Sequence, residues 1–171
     1  PICFHPSGNL AVLTRVVTGK RTNKPQLYII RKENNAWSKP EIMSFCGNDF
    51  SYGHACFSED GSKLFFASDQ IGAIGGKDIF VSKFTDGKFG APMNLGDKIN
   101  TPQDEMYPNF QNNVLYFSSK GYNSMGGYDV FRSTYIPETD SWSQPVNMEF
   151  PVNSPDDDYL YVTDSLEKVA F

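Results

Sequence analysis

The stretch Ile74-Gly75-Gly76-Lys77-Asp78-Ile79-Phe80-Val81 recurs as Met125-Gly126-Gly127-Tyr128-Asp129-Val130-Phe131, and this echo decides how the chain is read. Two adjacent glycines suit a backbone that turns at positive φ, or one that passes where a side chain would clash. The Asp-Ile-Phe and Asp-Val-Phe that follow read as strand starts. The chain is built from repeats, and other markers give the period.

Phe4, Phe57 and Phe110 are spaced by 53 residues. An aromatic followed three residues later by proline occurs at Trp37/Pro40, Phe89/Pro92 and Trp142/Pro145, in steps of 52 and 53. Asn100-Thr101-Pro102-Gln103-Asp104-Glu105 returns as Asn153-Ser154-Pro155-Asp156-Asp157-Asp158 after 53 residues. The repeats run 3–55, 56–108 and 109–161, with the beginning of another at 162–171, and form one partial domain over 1–171.

Within the middle period four short strands are expected. The first ends at His54 to Phe57, and the second is Lys63 to Ser68 after a Ser58-Glu59-Asp60-Gly61 turn. The third is Asp78 to Phe84, and the fourth lies around Phe89 to Leu95. Four antiparallel strands in about 50 residues match a β-propeller blade. Leu64-Phe65-Phe66-Ala67 is apolar on both faces, as a strand packed between two other blades requires. The fold class is all-β. Closed propellers have about four to eight blades, so three repeats predict an incomplete propeller, one that belongs to a longer ring or pairs with another chain.

Composition removes several function classes. A net charge of -5 and a pI near 5.0 exclude the clustered Lys and Arg of a nucleic-acid binder. No apolar run reaches the roughly 18 residues of a membrane-spanning helix, so a soluble chain without membrane insertion is expected. Cys3, Cys46 and Cys56 lack the C-x-x-C spacing of a zinc or redox site and are read as buried thiols. His5 and His54 are not equivalent in the repeat, and no phosphate-binding glycine loop is present, so no cofactor is expected.

The segments at 57–66, 75–82, 92–96 and 100–105 together resemble the WD40-like, TolB-type propeller repeat. More narrowly, they are similar to the version in bacterial envelope proteins that also carry TPR repeats and an OmpA-like peptidoglycan-binding domain. The resemblance covers nearly the whole chain. It departs from the pattern where Arg21-Thr22-Asn23-Lys24-Pro25 replaces the glycine loop and where Phe110-Gln111-Asn112-Asn113-Val114 lacks the Asp-Gly turn. It implies a periplasmic or outer-membrane-associated scaffold, in some cases tied to type IX secretion, whose partners are other envelope proteins.

The loops between second and third strands, and those from one repeat to the next, should open on one rim. That places Asp69, Asp78, Asp104 and Glu105, then Asp129, Asp156, Asp157 and Asp158, together. Hard cations take such oxygens, which makes Asp78, Asp104, Glu105 and Asp129 candidates for a cation site. The structural reading is that the strand-start Asp accepts N–H bonds from its glycine loop, and it is preferred because the residues recur in every copy. Gly75, Gly76, Asp78, Gly126, Gly127 and Asp129 are then a structural motif. No catalytic residues are assigned. A glycosidase needs two facing carboxylates, and the Ser-x-Asp-x-Gly-x-x-Trp box of sialidase propellers is absent. A non-catalytic scaffold is expected. The alternatives are a propeller glycosidase, the propeller of a peptidase, or a glycan-binding module in which Trp37, Phe89 and Trp142 stack on sugars instead of covering the blade rims.

Overall fold

The computed structural model describes residues 1–16 and 23–162. Three antiparallel sheets follow one another along the chain. The first holds β1 (Ile2–Phe4), β2 (Leu10–Arg15), β3 (Gln26–Glu33), β4 (Ala36–Trp37) and β5 (Glu41–Ile42). The second holds β6 (Tyr52–Phe57), β7 (Lys63–Ser68), β8 (Asp78–Thr85), β9 (Lys88–Phe89) and β10 (Met93–Asn94). The third holds β11 (Glu105–Gln111), β12 (Val114–Ser119), β13 (Asp129–Ile136), β14 (Ser141–Trp142) and β15 (Val146–Asn147). The fold is an all-β, incomplete propeller with three four-position blades. Arg21 and Thr22 of the first repeat's divergent loop, and 163–171 of the further repeat, lie outside the described residues.

The fourth position differs from the continuous strand expected over Phe89 to Leu95. It is filled by two short pieces, β9 and β10, both paired to β8, and the other blades repeat this with β4/β5 and β14/β15. Pro40, Pro92 and Pro145 fall between the pieces. Proline has no N–H to give a ladder and is confined to edges, so each blade's outermost edge is interrupted and a poor template for further pairing.

Packing between blades follows from the doubly apolar second strands. Leu64 and Phe66 of β7 join Leu10, Val12, Leu27 and Ile29 of the first blade in one core cluster. Phe65 and Ala67, on the opposite face of β7, join Phe110, Leu115, Phe117 and Phe131 of the third blade in another. Successive side chains of a strand point to opposite faces, so one strand supplies both seams. Trp142 does not simply cover its blade's rim. It wedges into the second seam, edge-on to Phe65 at 6.3 Å and to Phe110 at 5.9 Å. Phe89 sits likewise beside Phe57 and Phe84 at the first seam.

The cysteines are free thiols, as expected, but half-buried rather than buried. Cys3 and Cys56 occupy the same repeat position and stitch one blade to the next. The Cys3 sulfur accepts the Phe57 N–H at 3.2 Å, and Cys56 is hydrogen-bonded to the backbone of Phe110. In the third blade Asn109 takes the position and donates to the Tyr161 carbonyl at 3.0 Å. A first strand has an unpaired edge, and these side chains satisfy part of it. Burial pushes the Cys46 thiol up to about 12 and raises Cys3 and Cys56, so none is poised as a thiolate nucleophile.

Candidate functional site

The two glycine-aspartate loops sit at the end of the blades where second strands stop and third strands start. Asp78, the first residue of β8, is fully buried. Its Oδ2 accepts the Ile74 N–H at 2.7 Å and the Asn94 amide at 2.6 Å, and its Oδ1 accepts the Gly75 N–H at 3.3 Å. Asp129 repeats the set with Met125, Asn147 and Gly126 at 2.7, 3.0 and 3.0 Å. One carboxylate thus draws its own loop back and ties down the outer strand piece.

The paired glycines answer to space rather than to positive φ. A Cβ on Gly75 or Gly126 would strike the backbone of the loop leading to the next blade, at Thr101 and Asp156. A Cβ on Gly76 or Gly127 would strike the carboxylate of Asp104 or Asp157. The close approach lets the two loops bond directly. Gly76 N–H donates to the Gln103 carbonyl at 3.0 Å, Lys77 N–H to Asp104 Oδ1 at 2.8 Å, and Glu105 N–H to the Lys77 carbonyl at 2.6 Å. Tyr128 N–H donates to Asp157 Oδ1 at 2.8 Å, and Asp158 N–H to the Tyr128 carbonyl at 2.6 Å.

Glu105, Asp104, Asp69, Asn100 and Asn153 of the rim are also engaged, whereas Asp156 is exposed. Glu105 is buried and accepts from the Thr101 N–H, the Thr101 hydroxyl and the Ser119 hydroxyl at 2.8, 2.7 and 2.6 Å. Burial raises its carboxyl above the ordinary range despite these bonds. Asp104 also accepts the Tyr128 hydroxyl at 3.0 Å, and Asp69 accepts the Ser51 N–H and pairs with Lys24 at 3.8 Å. Asn100 bonds across to both backbone groups of Ile79 at 2.7 and 3.0 Å, and Asn153 does so to Val130.

The candidates Asp78, Asp104, Glu105 and Asp129 therefore share one rim, where Asp78, Glu105 and Asp129 accept donors of their own loops or strands, Asp104 accepts the Lys77 N–H of the neighbouring loop, and Asp78 lies near enough to Glu105 to raise its carboxyl. Among the described residues no group of three or more His, Cys, Asp or Glu side chains is arranged to hold a metal ion. His5 bonds the Gly61 carbonyl at 3.2 Å and packs edge-on against Phe57 and Phe84.

Two features of this end were not foreseen. Ile71, Ile74, Met125 and Phe150 stand exposed on the rim loops, Ile71 at 86% and Phe150 at 78%. Inside, the first strands are bulged, with register shifts between Gly53 and Cys56 and between Met106 and Asn109. His54, Tyr107 and Leu160 hold positive φ at equivalent positions, 53°, 55° and 59°. Residue type changes at each copy, so only the interval of 53 could have betrayed them. A bulge re-aims the side chain it carries, and here it sets the His54 ring against Tyr107.

No family model and no curated protein sequence matches the chain. Among solved structures it is similar to TolB from Acinetobacter baumannii, with a TM-score of 0.60 and 13% identity over 98% of this chain and 36% of that one. It thus spans about a third of the TolB chain it matches. A structure from a study of two prolyl endopeptidases aligns over 86% of this chain and 20% of its own at 16% identity, with a TM-score of 0.44. At such identity the TolB likeness speaks to the fold alone: the chain has a TolB-like β-propeller fold, present as three blades.

Proposed function

We propose that this chain is a non-catalytic interaction scaffold of the bacterial envelope, which engages other proteins through its rim loops. The observation that carries the reading is the division of labour on the rim. Its carboxylates are bonded to backbone donors of the loops, while Ile71, Ile74, Met125 and Phe150 project to solvent. Burying apolar surface contributes about 25 cal/mol per Å², and anchors held on stiff loops lose little entropy on binding. The glycosidase alternative calls for two carboxylates left free to face a substrate, and carboxylates occupied by loop donors favour the scaffold. The envelope setting, with TPR and OmpA-like modules or type IX secretion as its context, is supported by the sequence resemblance at 57–66, 75–82, 92–96 and 100–105.

The test is a photo-reactive phenylalanine at position 71 in the chain produced in the periplasm. The expected result is a discrete protein adduct that disappears when Ile74 and Phe150 are both changed to glutamate. Absence of an adduct, or an adduct indifferent to those changes, would overturn the reading.

A further inference from the structure

The seam between the second and third blades opens outward into a groove of about 280 Å³. Phe65 and Val81 form its floor, Met93 and Leu95 one lip, and Tyr135 and Trp142 the opposite wall. The wall is fixed in place, because Trp142 is wedged against Phe65 and Phe110 and the Tyr135 hydroxyl donates to Asp140 at 2.5 Å. Lys63 and Lys83 also line the groove and stand directly opposite one another across the β7–β8 ladder. Like charges so placed repel. Lys63 rests over the Tyr135 ring at 4.3 Å, and among the described residues no carboxylate lies within ion-pair distance of either lysine.

The first blade shows what is missing. Its groove, of about 300 Å³ and lined by Ile29, Arg31, Met43 and Phe89, carries Arg31 at the position of Lys83. There Glu41 pairs with the guanidinium at 3.7 Å. Glu41 is registered against Ile29 in β3, and Met93 is registered against Val81, the equivalent residue of β8. Met93, about half exposed, therefore stands where the first blade keeps its neutralising acid.

We infer that the groove between the second and third blades binds an acidic peptide segment of a partner protein, one carboxylate taking the place that Glu41 fills in the first blade and a neighbouring large apolar side chain entering between Met93 and Trp142. Asp140 also lines the groove but is occupied by the Tyr135 hydroxyl, and Asp60 acts on Lys63 from its other side, which leaves Lys83 as the cation without a counter-charge and gives the patch its preference for an acidic ligand. The volume suits a single side chain of leucine or phenylalanine size. The site lies on the outer wall and is independent of the rim loops.

Trp142 reports on the site directly, since Trp37 is the other tryptophan and can be changed to phenylalanine. The probe is an acetylated pentapeptide with a central leucine flanked by glutamates, titrated while Trp142 emission is followed. Saturable binding is expected, weakened about tenfold in Lys83→Gln, the scale of one lost charge-assisted hydrogen bond. Met93→Glu rebuilds the pairing of the first blade, so binding should be lost with melting unchanged; Met93 is exposed, so the fold should tolerate it. Lys83→Glu should shift preference to a lysine-containing peptide. No response at millimolar peptide, equal binding of the glutamine analogue, or unaltered binding in Met93→Glu overturns the proposal. Binding of decanoate with no binding of the peptide overturns it in favour of a lipid anion.

Discussion

His54 and Tyr107 lie face to face, ring centroids 3.9 Å apart and planes 15° from parallel, at the same bulge position of successive blades. Tilted ring contacts extend this stack from Tyr107 to Tyr159 at 5.1 Å and from Tyr159 to Tyr128 at 5.0 Å. Inner strands of neighbouring blades are thus joined through aromatic faces where no backbone ladder joins them. His54 holds its imidazole neutral: burial, and then the Lys77 ammonium, lower its pKa from 6.5 to about 4, and its Nδ1 is buried without a partner.

That shift has a sign. A depressed folded pKa means that the unfolded chain binds the proton more readily, so the contribution of His54 is fully present above pH 6.5 and is lost as pH falls toward about 4. The ring is half-buried, and screening by solvent at its exposed part reduces the contribution to about 1–2 kcal/mol. Urea unfolding of wild type and His54→Phe at pH 7.5 and about pH 4.5 should show wild type losing that much more than the variant. Equal losses would mean that His54 does not titrate in this window.

Glu105 works in the opposite direction. Its carboxyl is raised by burial, so the fold favours the protonated form, and stability falls as pH rises from the ordinary carboxylate range through the raised value. Glu105→Gln should remove that decline while keeping an acceptor for the Thr101 N–H. Persistence of the same slope in the variant would assign it to another group.

Gly126→Ala and Gly72→Ala separate the two reasons for a glycine. At Gly126 a methyl group meets the Asp156 backbone, whereas at Gly72 it enters open space on a backbone of φ 95°. The first should cost about 2–3 kcal/mol through displacement of a bonded loop, and the second about 1 kcal/mol of local strain. Chemical denaturation of the two variants would decide this, and equal costs would contradict the close-approach account.

Trp142→Ala should cost about 3–5 kcal/mol, because its ring fills the seam between Phe65 and Phe110. Trp37, 41% exposed on the first blade, should cost far less on the same change. A Trp142→Ala protein with unaltered melting but lost glycan binding would restore the sugar-stacking alternative.

The blade pattern was legible because it rests on local signals: Asp-Gly turns, doubly apolar second strands such as Leu64 to Ala67, and markers recurring every 53 residues. The bonds of Asp78 were legible for the same reason, since the acid and its glycine loop are neighbours in sequence. What escaped depends on neighbours from other repeats. Gly75 and Gly76 are glycines because of Thr101 and Asp104, and Trp142 turns inward because Phe65 waits across the seam. The break of the outer strand at Pro92 and the exposure of Ile71 and Phe150 likewise emerge only once the blades are placed.

The central claim is that the acidic rim holds loops in place and leaves the exposed apolar residues to make contacts. Calcium titration calorimetry and thermal melting of wild type and Asp78→Ala test it most directly. The expected result is no calcium binding tighter than about 0.1 mM, and a loss of about 2–4 kcal/mol of stability in Asp78→Ala, because buried N–H donors lose their acceptor. Calcium binding tighter than that limit, abolished in an Asp78→Ala protein that melts like wild type, would contradict it.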